Sequence, residues 1–149
     1  EIKLGDMNQT ASAFGSIQDG LSFFRADLLT PEKRAFASLA LITSGGAPHV
    51  TPMWFDYDGE HIIFNTARGR VKDRILHKRP VVALAVVDPA NPYRYIQIRG
   101  TVVDESEQGG YEQISALNQK YHGHPNYPKR PGEVRVTYKV RPDHVTTMG

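Results

Sequence analysis

Residues Phe64 to Lys78 read Phe-Asn-Thr-Ala-Arg-Gly-Arg-Val-Lys-Asp-Arg-Ile-Leu-His-Lys, and within them a strand pattern gives way to a basic helical one. Ile62, Ile63 and Phe64 are apolar and β-prone, whereas Val71, Ile75 and Leu76 recur at helical spacing beyond Gly69. Arg70 therefore opens a helical turn that carries Lys72 and Asp73. A helix N-terminus offers unpaired N–H groups and a partial positive charge, which favour an anion. Arg68, Arg70 and Lys72 add three cations within five residues. Basic side chains in a first turn are locally unfavourable unless an anion is bound, and that conflict points to a phosphate. A solvated basic face accounts for the run equally well, and the glycines of a P-loop or a dinucleotide fingerprint are absent.

Working outward, Leu39 to Thr43 and His49 to Tyr57 read as strands joined by the turn Ser44-Gly45-Gly46-Ala47-Pro48. Asp58-Gly59 is a strong hairpin signal and leads into a third strand, Glu60 to Thr66, so a three-stranded antiparallel meander is predicted. Pro52 cannot donate to a ladder, which makes the second strand an edge or bulges it. Beyond Pro80, Val81 to Val87 is apolar on both faces and predicts a central strand. Asp88 to Pro92 reads as a stiff loop. Tyr95 to Asp104 and Val134 to Val140 alternate as a fifth and a sixth strand, after which Arg141 to Val145 is expected to leave the sheet. Between them lies a helix after Gly109-Gly110, with Ile114, Leu117 and Tyr121 on one face, and a loop from His122 to Gly132 holding three prolines. Upstream, Thr30-Pro31-Glu32 predicts a helix start, with the helix ending near Ser38. Residues 1 to about 20 read as a mobile arm, while Phe14, Leu21, Phe23, Phe24, Leu28 and Leu29 should cover an opening in the core or a second subunit. The expectation is an N-terminal arm over 1–30 and one domain over 31–149. Its class is mainly β (α+β), with six antiparallel strands closing into a small barrel or half-barrel.

A chain of 149 residues suits one core. The absence of cysteine excludes a disulfide framework, a thiolate metal site and a cysteine nucleophile. A formal charge of +2 is too small to argue for nucleic acid or a membrane surface. No stretch approaches the roughly 18 apolar residues needed to span a bilayer, and the first residues lack a signal-peptide core. A cytoplasmic protein is the expectation.

The order of these motifs resembles the split-barrel flavin-binding family related to pyridoxamine 5'-phosphate oxidase, in particular its actinobacterial branch that uses the deazaflavin coenzyme F420. The resemblance runs from about Phe36 to Val145. It is carried by Leu41-Ile42-Thr43 with its glycine-rich turn, Pro48-His49-Val50-Thr51-Pro52-Met53-Trp54-Phe55, the Arg70-x-Lys72 pair, Asp88-Pro89, and Tyr93-Arg94-Tyr95-Ile96-Gln97-Ile98-Arg99-Gly100. It implies a homodimer, an FMN-binding split β-barrel, with the cofactor between subunits. Arg70 and Lys72, on either side of Val71 and close to Arg68, would hold the phosphate. Thr51, Pro52, Met53 and Trp54 would lie along the tricyclic ring, and Asn65 and Thr66 would face the phosphate or ribityl chain. Asn91-Pro92-Tyr93-Arg94 could reach the neighbouring subunit's cofactor, although a rigid structural turn explains its prolines equally well; Tyr93 and Tyr95 complete the candidate cofactor-binding set. The pyridoxamine-phosphate oxidases carry a flavin-contacting glutamine where this chain has Tyr95, and their substrate-phosphate residues find no match here. A pyridoxine-phosphate substrate is thereby disfavoured.

Hydride transfer needs no protein nucleophile, and none of the signatures for one is present. The expected reaction passes hydride from reduced F420 to a small unsaturated or electrophilic molecule. Tyr93, Tyr95 and His49 are candidate proton donors by position only, and no catalytic residue is assigned. FMN is the rival cofactor, since Arg70 and Lys72 suit either phosphate. A non-catalytic protein holding a cofactor, haem or other tetrapyrrole is the rival of another class, and single-stranded nucleic-acid binding is disfavoured by the weak charge. His122-Gly123-His124 lacks a third ligand at recognisable spacing, so it reads as loop polarity and no metal is expected.

Overall fold

The computed structural model describes Leu21 and residues 28–149. Most of the arm expected over residues 1–30 lies outside the described residues, but Leu21, Leu28 and Leu29 are buried in the main core. The strands are β1 (Ala37–Ile42), β2 (Pro48–Met53), β3 (Asp56–Tyr57), β4 (Ile62–Ala67), β5 (Val81–Asp88), β6 (Asn91–Ser106) and β7 (Arg135–Met148). Helix α1 (Val71–Lys78) follows β4, and α2 (Gly110–His122) follows β6. The seven strands form one sheet in the order β2-β1-β5-β6-β7-β4-β3. Every pairing is antiparallel. The sheet curls into a half-barrel whose open seam runs between β2 and the β4-β3 pair, and α1 packs against both β1 and β4. Leu76 of α1 is buried in the core, and Ile75 packs on it.

Core residues follow the two-residue strand period. Leu39 and Leu41 of β1, Leu84 and Val86 of β5, Ile96 and Ile98 of β6 and Tyr138 and Val140 of β7 point inward and are almost fully buried. Phe64 and Tyr138 stack within this core, their ring centroids 5.4 Å apart. Each such side chain contributes about 1.5–3 kcal/mol by leaving water, which the loops between strands could not replace.

Seven strands replace the predicted six because the expected second strand breaks. β2 ends at Met53 and pairs with β1, whereas β3 pairs with β4 on the far side of the seam, so the predicted meander is split in two. The reason lies at Phe55, whose backbone bonds are made by side chains of α2. Lys120 Nζ donates to the Phe55 carbonyl at 2.7 Å, and the Phe55 N–H donates to the Tyr121 hydroxyl at 3.3 Å. The helix predicted after Thr30 is a single 3-10 turn, Pro31–Lys33, ended by Arg34 in the left-handed region at φ 52°. Too few residues precede β1 to offset the cost of nucleating a longer helix. The stiff loop expected at Asp88 to Pro92 shrinks to a two-residue turn, since Asp88 pairs with Asn91. β7 also continues through Pro142, which sits opposite Gly100 where the register slips, so its missing N–H interrupts no regular ladder. A Cβ on Gly100 would lie 2.5 Å from the Arg141 carbonyl oxygen, so this crossing needs glycine. Among the described residues no helix is long and apolar enough to cross a membrane.

Candidate functional site

Two adjoining clefts open along the seam, with Lys72 in the wall of both. The first, about 440 Å³, is lined by His49 and Thr51 of β2, Thr66 of β4 and, at the start of α1, Gly69 to Lys72 and Arg74. The second, about 330 Å³, is bounded by Pro52, Met53 and Trp54, by Asn65 and Arg135, and by an apolar wall that includes Ile114, Leu117 and Tyr127. The clefts exist because β2 is an unpaired edge and α1 starts beside it.

The α1 terminus is built for a negative guest. Its cap residue Arg70 is extended (φ −69°, ψ 165°) and gives no side-chain hydrogen bond to the first turn. Asp73, the acid of that turn, is turned away from the cleft and buried. It accepts from the Gly69 N–H at 2.9 Å, from Arg68 Nη1 at 3.0 Å and from the Tyr138 hydroxyl. Burial alone would raise the Asp73 pKa, but the Tyr138 hydroxyl, the Gly69 N–H and Arg68 hold it below the usual carboxylate range. The turn thus keeps its N–H groups and cations toward the cleft and its carboxylate in the core.

Lys72 is half-buried and, among the described residues, has no hydrogen bond or ion pair. Burial lowers its pKa, and Arg70 and Arg135 push the same way. An ammonium without a carboxylate, flanked by two guanidinium groups, is unfavourable until an anion joins it. Across the cleft, Thr51 Oγ1 and His49 Nδ1 are buried and unpartnered. Unpartnered polar atoms on one wall of a groove and the unpaired Lys72 ammonium on the other suit a polar, negatively charged ligand.

Arg135 is only 8% exposed and is aimed by its neighbours. Its Nε donates to Asn65 Oδ1 at 2.8 Å, while Asn65 Nδ2 donates to the Gly110 carbonyl and to Gln113 Oε1. Trp54 stacks on Tyr121 with centroids 5.2 Å apart and 9° between planes, and the edge of His122 closes on it at 5.1 Å. The apolar half of the groove is therefore rigid.

The structure brings Thr51, Pro52, Met53, Trp54, Asn65, Thr66, Arg70, Val71 and Lys72 to this groove. Arg68 departs from the expectation. Its guanidinium faces Glu107 at 2.8 Å, Asp73 at 3.0 Å and Glu105 at 3.5 Å, and the Glu107 bond leads in raising its pKa. It supports Asp73 rather than facing the clefts. Tyr93 and Tyr95, at the start of β6, line neither cleft in this chain, and Tyr93 is exposed. Arg135 was missed because it alternates with Val134 and Val136 as an outward position, whereas Val134 is exposed and Arg135 buried at the strand's first residue. Asp73, His77 and Glu105 offer ligand atoms within 4.8 Å of one another, but Arg68 Nη1 lies among them as their counter-cation. His124 is held by Asn118, which donates to its carbonyl at 2.7 Å.

The half-barrel with its seam groove is the architecture of flavin- and deazaflavin-binding oxidoreductases. Residues 27–149 match the family model described as pyridoxamine 5'-phosphate oxidase, and the chain belongs to that family. A solved structure described as an F420 reductase is 36% identical, with 80% of this chain and 93% of that one covered and a TM-score of 0.71. A conserved hypothetical protein of Mycobacterium tuberculosis is 20% identical over 83% of this chain and 81% of its own, with a TM-score of 0.65. General Stress Protein 26 of Bacillus anthracis is 15% identical over 89% and 93%, with a TM-score of 0.62. These last two share the fold. No curated protein matches the sequence at a significant level.

Proposed function

We propose that this chain is an F420-dependent oxidoreductase. It acts as a homodimer that transfers hydride between the deazaflavin and a small unsaturated or electrophilic organic molecule. The observation that carries the reading is Lys72, a half-buried ammonium that has no counter-ion among the described residues and is set between Arg70 and Arg135 at the start of α1. The 36% identity to an F420 reductase favours the deazaflavin over FMN.

When bound, the cofactor supplies the hydride chemistry, and the protein supplies position, charge and exclusion of water. Arg70 and Lys72 grip the phosphate: the guanidinium can hold two oxygens at once, and the ammonium acts as a point charge. Thr51 Oγ1 and His49 Nδ1, unpartnered in the chain alone, gain polar partners along β2. Pro52, Met53 and Trp54 form the flat wall for the ring, with Trp54 fixed by Tyr121. Of Tyr93, Tyr95 and His49, His49 is the one that lines the groove, which supports it as the proton donor of the three.

Titrating F420 while following its fluorescence tests the reading. Arg70→Ala and Lys72→Ala should each weaken binding by about 10- to 100-fold, because a charge-assisted hydrogen bond contributes about 1.5–3 kcal/mol. Unchanged affinity in both variants rules out a phosphate at this position. Oxidation of reduced F420 by an added acceptor separates an enzyme from a binding protein, and the same titration with FMN decides between the cofactors.

A further inference from the structure

One carboxylate pairs with two of the groove's cations while itself lining neither cleft, and the proposed function leaves it unused. Glu133 Oε2 lies 2.9 Å from Arg70 Nη2, and Glu133 Oε1 lies 3.3 Å from Arg135 Nη1. Its side chain is only 12% exposed. The Glu133 N–H donates to the Arg130 carbonyl at 3.1 Å, in a turn that contains Gly132 at φ 75°. The carboxylate is therefore held from the backbone side and from both guanidinium groups. It bridges Arg70 of the first cleft and Arg135 of the second, and among the described residues leaves Lys72, in the wall of both, without a negative partner.

We propose that Glu133 is a specificity-determining residue that sets the charge preference of this site, favouring a singly charged phosphodiester over a doubly charged phosphomonoester. The inference rests on the reading that the groove holds a cofactor phosphate. A fixed negative charge beside the anion repels it in proportion to the anion's own charge, so a dianion is penalised twice as heavily as a monoanion. Arg70 keeps its other N–H groups for the ligand while Nη2 is committed to Glu133, so the carboxylate tunes the site without blocking it. The phosphate of F420 links two groups and carries one charge, whereas that of FMN is terminal and carries up to two. A carboxylate here therefore bears on which of the two cofactors is admitted.

The test uses the whole chain and two simple anions at pH 8 and low salt. Inorganic phosphate is chiefly dianionic there, and dimethyl phosphate is a monoanion. Binding is followed by the NMR shifts of the Val71, Lys72 and Asp73 amides. Glu133→Gln keeps an oxygen acceptor for Arg135 and removes the charge. It should tighten dimethyl phosphate by about threefold and inorganic phosphate by about tenfold, since a doubled charge doubles the logarithm of the effect. Glu107→Gln, which neutralises a carboxylate paired with Arg68, should change neither. Equal tightening of both anions, no tightening, or the same response in Glu107→Gln overturns the role of Glu133 and leaves the cofactor reading intact. Failure of either anion to move those amides in wild type and variant alike removes the anion site, and the proposed function with it.

Discussion

Lys120 and Tyr121, neighbours on α2, give the groove wall a pH signature of its own. Lys120 is buried, with Nζ on the Phe55 carbonyl at 2.7 Å and 4.3 Å from the Phe55 ring centroid. Burial pulls its pKa down to about 8, against the opposing pull of Asp56 and Glu32. Burial pushes Tyr121 up to about 12, while the N–H of Phe55 acts the other way. An unfolded lysine holds its proton to about pH 10.4, so from pH 8 to about 10 the unfolded chain binds more protons and stability rises with pH. Above about pH 10 the unfolded tyrosine ionises first, and stability falls through the folded value near 12. Urea unfolding of wild type should show a rise on the order of 1–3 kcal/mol between pH 8 and 10, and Lys120→Met should lose most of it, keeping the part that the lowered Lys72 supplies. A variant curve that runs parallel to wild type through this window would show that Lys120 titrates normally.

Where elements meet, the decisive contact is α2 on β7. Gly110 opens α2, and a Cβ there would lie 2.7 Å from the Arg135 carbonyl carbon, a backbone atom that cannot give way. The same glycine's carbonyl accepts from Asn65, which aims Arg135. Gly110→Ala should therefore cost about 1–3 kcal/mol of stability and also weaken F420 binding, by moving Arg135. Gly109→Ala is the comparison, since φ is 75° but nothing lies within 4 Å of its Cβ. It should cost about 1 kcal/mol through backbone strain and leave binding unchanged. Thermal unfolding and F420 titration of the two variants separate these effects. At this scale the sequence was legible wherever structure is local. Helices α1 and α2 follow from side-chain period, and the Asp58-Gly59 turn from its residues, with Asp58 Oδ1 accepting from the N–H groups of Glu60 and His61. It was not legible at Trp54-Phe55, where the bonds that end β2 come from Lys120 and Tyr121, more than 60 residues along the chain. Arg70 and Lys72 were readable because like charges in a first helical turn conflict within the turn itself. Arg135 and Glu133 were not, because only the closing of β7 onto β4 brings them to that turn.

At the scale of the whole molecule, the outer side of the half-barrel bears on the assembly. The inward residues of β5 are buried, yet its outward side is also apolar, with Val81, Ala83, Ala85 and Val87 in a row. Ala83 is flanked by Ala40 and Arg99, and Ala85 by Ser38 and Gln97, so small side chains floor the β1 side and the exposed Arg99 and Gln97 border it on the β6 side. Val50 of β2 (66% exposed) and Tyr93 of β6 (59%) add apolar surface on other strands. An apolar strip of this kind along β5 suits the second copy of the chain in the proposed homodimer. In the proposed homodimer, a twofold contact across β5 would give Tyr93 and Tyr95 a role that the single chain does not, as contributions to the partner's groove. Ala83→Arg places a long cation at the centre of that floor while leaving the inward side untouched. It should convert a dimer to a monomer in sedimentation experiments, leave the near-UV dichroism of the core in place, and weaken F420 by tenfold or more, because an unpaired charge at an interface centre costs several kcal/mol. If Ala83→Arg still sediments as a dimer, the subunits meet through another face. If it is monomeric but binds F420 as wild type does, each chain holds its cofactor alone, and Tyr93 and Tyr95 belong to no site.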